Sequence, residues 1–176
     1  MHRLFIGLVV VLSALTGACG GDDAPASADM LYRVGCPSMC VPQNRDLMVQ
    51  NGQNGFSVSC MVTTATGGRA LSFTATSGEY GIRVQNAFFT GEGGLATGGG
   101  CRVIVEEGAN DFEGSCTSES TPDCRLNVMI SGSEVHGDIF CSNLVNAAVP
   151  SQIRTLTDSL DTSAPADFVI TGCTGL

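Results

Sequence analysis

From Phe56 onward the polarity of the chain alternates with period two, the pattern of half-buried β-strands. Phe56, Val58, Cys60 and Val62 alternate with Ser57, Ser59, Met61 and Thr63. Gly67–Gly68 then reads as a two-residue turn. Pairing across it sets Val62 opposite Phe73, Thr64 opposite Leu71 and Cys60 opposite Ala75, with the apolar positions of both strands on one face.

The segment between Cys124 and Cys141 carries the sharpest pattern. Gly132–Ser133 fits a type II′ turn, with glycine at the first central position. Counting outward pairs Ile130 with Val135, Val128 with Gly137, Leu126 with Ile139 and Cys124 with Cys141, all on one face. Arg125, Asn127, Met129, Glu134, His136, Asp138 and Phe140 occupy the other. Residues flanking such a turn form a hydrogen-bonded pair, so alternation puts Cys124 and Cys141 at a non-hydrogen-bonded site. There Cα atoms lie about 4.5 Å apart, within disulfide reach, and a Cys124–Cys141 bond is expected.

A third hairpin runs from Cys101 to Cys116, with Val103 and Val105 sharing a face with Phe112, Gly114 and Cys116. A two-residue turn at Gly108–Ala109 sets Cys101 opposite Cys116 and favours a disulfide between them. A four-residue loop shifts the pairing by two and keeps the faces. Further strands are read at 80–89, where Tyr80, Ile82 and Val84 alternate, and at 167–173. Between Leu144 and Leu160 the pattern is mixed, and Pro150 rules out a long helix, leaving room for one short helix or a turn. Residues 91–100, GEGGLATGGG, read as a flexible inter-strand loop. Seven or eight strands predict a single all-β domain over residues 36–176, a disulfide-stapled antiparallel β-sandwich.

The N-terminus breaks this pattern. His2 and Arg3 precede an apolar run from Leu4 to Leu15. That run is too short for a bilayer span of about 20 residues and fits a secretory signal. It closes in Thr16-Gly17-Ala18-Cys19, followed by Gly20, Gly21, Asp22 and Asp23. Small residues before a cysteine at this distance resemble the lipobox of bacterial lipoproteins, in which the cysteine is acylated and becomes the mature N-terminus. The resemblance implies a signal peptide over residues 1–18 and lipid, palmitate among its acyl chains, on Cys19. Because Gly20 stands where an Asp would favour inner-membrane retention, it also implies an outer-membrane or cell-surface destination. Residues 19–35, rich in Gly, Asp, Ala, Pro and Ser, read as a flexible tether.

Composition narrows the function. Seventeen acidic residues face eight basic ones, all arginine, for a net charge of −9. Scattered cations on an acidic chain do not suit nucleic acid, whose phosphates need clustered positive charge. A hydrophobic fraction of 43% is too high for a disordered chain. Of nine cysteines, the use of Cys19 for lipid leaves Cys36, Cys40, Cys60, Cys101, Cys116, Cys124, Cys141 and Cys173. An even number in an oxidising compartment predicts four disulfides. Zinc would want C-x2-C pairs or cysteine beside histidine. Cys36 and Cys40 are spaced C-x3-C, and His136 is the sole histidine after residue 18.

The order of parts also resembles the mycobacterial lipoprotein-antigen family of small secreted β-sandwich lipoproteins. The matching pieces are Ser57-Val58-Ser59-Cys60, Val135-His136-Gly137-Asp138 and Phe168-Val169-Ile170-Thr171-Gly172-Cys173. This resemblance implies a Cys60–Cys173 disulfide, which leaves Cys36 and Cys40 for each other. It also implies a surface-antigen or adhesin-like role and no reaction.

Candidate chemistry is sparse. A hydrolase needs a base beside a nucleophile; His136, with Asp138 to orient it and Ser131 as nucleophile, is the available trio. No G-x-S-x-G motif accompanies it, so an exposed strand histidine is the plainer reading. Glu106, Glu107, Asp111 and Glu113 cluster at a hairpin tip. As paired carboxylates for glycoside hydrolysis they lack an aromatic groove. They remain a calcium candidate, since oxygen ligands suit a hard cation, against the simpler reading of a solvated turn. No cofactor is implied. The expected function is that of a lipid-anchored envelope protein with a structural, adhesion or partner-binding role and no catalysis. Its partner would be an envelope protein, glycan or lipid, not nucleic acid. The alternatives are a small-molecule or lipid carrier with its cargo between the sheets and, third, an extracytoplasmic hydrolase.

Overall fold

In the computed structural model, residues 24–37, 40–116 and 122–176 are described; the expected signal peptide and Cys19 lie outside them. The strands, in chain order, are β1 (Ser27–Gly35), β2 (Gln43–Asp46), β3 (Val49–Gln50), β4 (Ser57–Ala65), β5 (Gly68–Thr76), β6 (Tyr80–Phe89), β7 (Gly93–Leu95), β8 (Arg102–Glu107), β9 (Asn110–Ser115), β10 (Cys124–Ser131), β11 (Glu134–Asn146), β12 (Ile153–Asp158) and β13 (Ala166–Thr171). The one helical element among the described residues is a 3₁₀ turn over Gln53–Gly55. The all-β class is as expected; the strand number is larger, because β1, β2, β3, β7 and β12 join the eight legible in the sequence.

One layer is the meander β4-β5-β6-β8-β9. The other places β1 and β11 on either side of one composite strand. β12 and β13 run end to end in this composite, with the 159–165 loop bulging out between them. β10 and then β7 extend that layer beyond β11, while β2 and β3 cover the far side of β1. The layers share one core, in which Phe73 of β5 meets Phe168 of β13 with ring centroids 5.3 Å apart.

β11 joins the layers. Its early inward positions are odd-numbered, Val135, Ile139 and Cys141, and its late ones even, Leu144 and Asn146. A register shift between Cys141 and Leu144 produces the switch, as an extra residue in one strand does. Asp123 holds this bulge: its carbonyl accepts the Ser142 N–H at 2.9 Å and its carboxylate the Asn143 amide at 2.8 Å. Beyond it, Val145 and Asn146 pair with Glu113 and Phe112 of β9.

Several expectations change. Residues 27–35 are not tether: Ala28, Met30, Tyr32 and Val34 alternate inward along β1 and are buried. The 91–100 loop contains β7, whose residues bond to β10. The mixed stretch after Leu144 holds a turn and then strand β12, with no helix. In the first hairpin Cys60 pairs with Phe73 and Val62 with Leu71, two residues from the expected register but on the same faces. The turn is Thr66–Gly67, with Gly67 at φ +85°. Gly68 is already strand, where a Cβ would run into the Phe89 carbonyl and the Phe88 ring.

The second and third hairpins have the registers set by two-residue turns: Cys124 faces Cys141, and Val105 faces Phe112. Gly132 has φ +63°. Four disulfides join Cys36 to Cys40, Cys60 to Cys173, Cys101 to Cys116 and Cys124 to Cys141. The Cys124 and Cys141 Cα atoms are 4.0 Å apart. The Cys60–Cys173 bond, spanning 113 residues, holds the C-terminal tail along the outer edge of β4. There Val62 N–H donates to the Thr174 carbonyl at 2.8 Å, and Thr174 N–H to that of Cys60 at 3.0 Å. The tail thereby covers part of a strand edge that would otherwise invite pairing with another chain.

Replacing Cys60 and Cys173 together by Ser is expected to lower unfolding stability by about 2–4 kcal/mol and to promote concentration-dependent association. The Cys36–Cys40 disulfide closes a far shorter loop, and replacing both cysteines by Ser is expected to cost less and not to promote association. Denaturant unfolding with light scattering measures both.

Candidate functional site

Charge collects where the β5–β6, β8–β9 and β11–β12 turns meet the segment after β2. Gly108 N–H donates to the Glu79 carbonyl at 2.7 Å, and the Asn146 amide bridges Asn110 at 3.1 Å and Gln152 at 3.2 Å. Alternation along β8 sends Glu106 and Glu107 to opposite faces. Glu107 follows Val103 and Val105 to the core side, where the Arg154 Nε–H donates to its carboxylate at 2.8 Å. The Arg154 guanidinium also lies 4.4 Å above the Phe112 ring. On the outer face Arg83 serves two acids, Glu106 at 3.0 Å and Asp111 at 2.6 Å. Glu113 pairs with Arg102 at 3.1 Å.

The carboxylates of the tip are thus engaged in ion pairs. Glu106, Glu107 and Asp111 face arginines from other strands, Arg83 and Arg154, and Glu113 faces Arg102 of the same hairpin. Among the described residues no group of three or more His, Cys, Asp or Glu could hold a metal. Glu106 titrates above the usual carboxylate range, chiefly because burial disfavours its charge; Arg83 pulls the other way and Asp111 adds to the rise.

The hydrolase trio is not assembled either. His136 lies opposite Met129, and its Nε2 is 2.9 Å from Glu134, not Asp138. Both Asp138 carboxylate oxygens accept from the Asn127 amide at 3.0 Å. Ser131 pairs with Glu134 across the turn, and no hydrogen bond joins it to His136.

Beside the charged end, an open depression of about 560 Å³ is lined by Asp46, Met48, Asn54, Phe56, Glu79 and Tyr80, among others. The Phe56 and Tyr80 rings meet edge to face at 5.4 Å. Arg45 pairs in register with Tyr32, and its guanidinium lies 4.7 Å over the Tyr80 ring. Among the described residues no carboxylate lies within ion-pair distance of Arg45, and neither its Nε nor the buried Tyr32 hydroxyl has a hydrogen-bond partner. Burial, above all, drives the Tyr32 hydroxyl well above its ordinary pKa, with Arg45 opposing.

Sequence reasoning missed this depression. The available signal was the turn-rich string Asn51-Gly52-Gln53-Asn54-Gly55, but nothing local brings it to Tyr80. Compared with protein-family models, curated proteins and solved structures, the chain matches none.

Arg154→Leu leaves Glu107, 18% exposed, without its cation, and an expected loss of about 1–3 kcal/mol follows. Adding Glu107→Gln should restore part of it, which a double-mutant cycle reads. Glu106, with its pKa raised in the folded state, binds its proton more tightly there than in the unfolded chain. Its contribution to stability therefore grows as pH falls through its folded pKa and shrinks as pH rises. Glu106→Gln is expected to flatten that part of the stability–pH curve. Millimolar calcium is expected to leave the melting temperature unchanged.

Proposed function

We propose that this chain is an exported, lipid-anchored cell-envelope protein that acts by binding and not by catalysis. One observation carries the reading: all eight cysteines from Cys36 to Cys173 are joined in four disulfides. Such a set fits an extracytoplasmic location, because thiol-reducing compartments do not sustain it. No helix among the described residues is long and apolar enough to cross a membrane; in this reading acylation of Cys19 supplies the attachment.

β1 begins at Ser27, and residues 20–26 alone separate it from Cys19. Fully extended they reach about 25 Å, so the domain sits close to the bilayer. A cargo between the sheets is not favoured, since Phe73, Phe168, Leu126 and Ile139 are buried in the space it would need. Binding on the outer faces and turns is the supported mode.

Intact mass of the membrane-fraction protein tests this. The expected species starts at Cys19, carries acyl mass and gains two hydrogens for each of four disulfides on reduction. A soluble, non-acylated species would overturn the anchor. Free thiols among the eight would overturn the compartment.

A further inference from the structure

We propose that the depression over Phe56 and Tyr80 is a binding site for a neutral saccharide. This rests on the reading of the chain as an extracytoplasmic binding protein and names the ligand class.

The lining selects the chemistry. It holds two carboxylates, Asp46 and Glu79, and no cationic side chain, so acidic ligands are repelled. The Arg45 guanidinium stacked on the Tyr80 ring opposes a cationic ligand by like charge. The exposed hydrogen-bonding groups are of both kinds and nearly unused. The Asn54 amide and the Glu79 carboxylate make no hydrogen bond among the described residues. Asp46 spends Oδ1 on the Met48 N–H at 3.0 Å. The Tyr80 hydroxyl makes one long bond, at 3.5 Å, to the Asp46 carbonyl. Between these groups the accessible apolar surface is chiefly Met48, which is 70% exposed, beside the half-buried Tyr80 ring; Phe56 and Val49 also line the depression but are buried. A sugar ring presents the matching set, hydroxyls around its rim that both donate and accept, and C–H groups on its faces. The volume is in the ordinary range of small-molecule sites and admits a mono- or disaccharide.

The site is also built in advance. Asn54 adopts φ +51°, a left-handed conformation that asparagine takes up more readily than most side-chain-bearing residues. Its loop is tied at both ends through Asn51, whose N–H donates to the Ala26 carbonyl at 2.8 Å and whose Oδ1 accepts the Val58 N–H at 3.0 Å. Across the depression the Ser77 hydroxyl accepts from the Glu79 and Tyr80 N–H groups at 3.2 and 3.4 Å. Arg45 and Phe56 fix the Tyr80 ring from two sides. Such rigidity lowers the ordering cost of binding.

The test is an amide-resolved NMR titration of the mature, disulfide-bonded protein with neutral tetrasaccharides of glucose, mannose, galactose and N-acetylglucosamine at millimolar concentration. At least one is expected to shift amides confined to residues 46–56 and 77–80. Asn54→Gly tolerates the left-handed backbone and Tyr80→Phe keeps the ring packing. Each is expected to weaken binding roughly threefold to tenfold, the worth of one hydrogen bond, with the remaining spectrum unchanged. No shifts with any sugar, shifts elsewhere, or unchanged affinity in both variants would overturn the site. So would a basic tetrapeptide that shifts these amides when no sugar does. The titration is independent of acylation, so failure of the anchor and failure of the sugar site are read separately.

Discussion

Both layers of this fold hang on β11. It is hydrogen-bonded along both edges, to β10 and β9 on one side and to the composite of β13 and β12 on the other. The bulge after Cys141 makes this possible. Without the change of parity, Leu144 and Asn146 would turn outward, and β9 could not continue the sheet with Phe112 facing the core. A one-residue slip in a strand with one buried face exposes its whole apolar set. β11 uses a single local slip, held by Asp123, to serve two layers in succession.

The disulfides take their meaning from this frame. Cys124–Cys141 locks β10 to β11 immediately before the bulge, and Cys101–Cys116 closes the open end of the β8–β9 hairpin, where Cys116 N–H still donates to the Cys101 carbonyl at 3.1 Å. Cys60–Cys173 fastens the chain's last residues across the edge of β4. In each, at least one cysteine stands at or just beyond a strand end. The charged end follows a similar economy: Glu107 and Arg154 close the core over Phe112, and Arg83 compensates two acids at once. Arg45 has no acid within ion-pair distance among the described residues and stacks on Tyr80.

What the sequence made legible was local. The β10–β11 register could be read because one glycine occupies a type II′ position and alternation runs unbroken on both sides. The β4–β5 register slipped by two because Gly67 and Gly68 are both turn-like in isolation; only the nearby Phe88 and Phe89 of β6 show which one must lack a side chain. β1 alternates as cleanly as any strand, but Asp29 and Arg33 on its outer face and the Gly, Asp and Pro before it gave the segment the composition of a tether. The acidic hairpin tip looked like a cation site because its neutralising arginines, Arg83 and Arg154, lie far away in sequence. For the same reason the depression was invisible, since Asn54 and Tyr80 meet only through the pairing of β4, β5 and β6.

The measurement that bears most directly on this account is residue-resolved amide hydrogen exchange across a denaturant series. If β11 carries both layers, its amides from Val135 to Leu144 exchange last, and the slow amides of β5, β6 and β8 share their denaturant dependence, because neither layer persists once β11 opens. Protection surviving in β5, β6 and β8 under conditions where the β11 amides have already exchanged would contradict it, and would mean that the two layers are separately stable units.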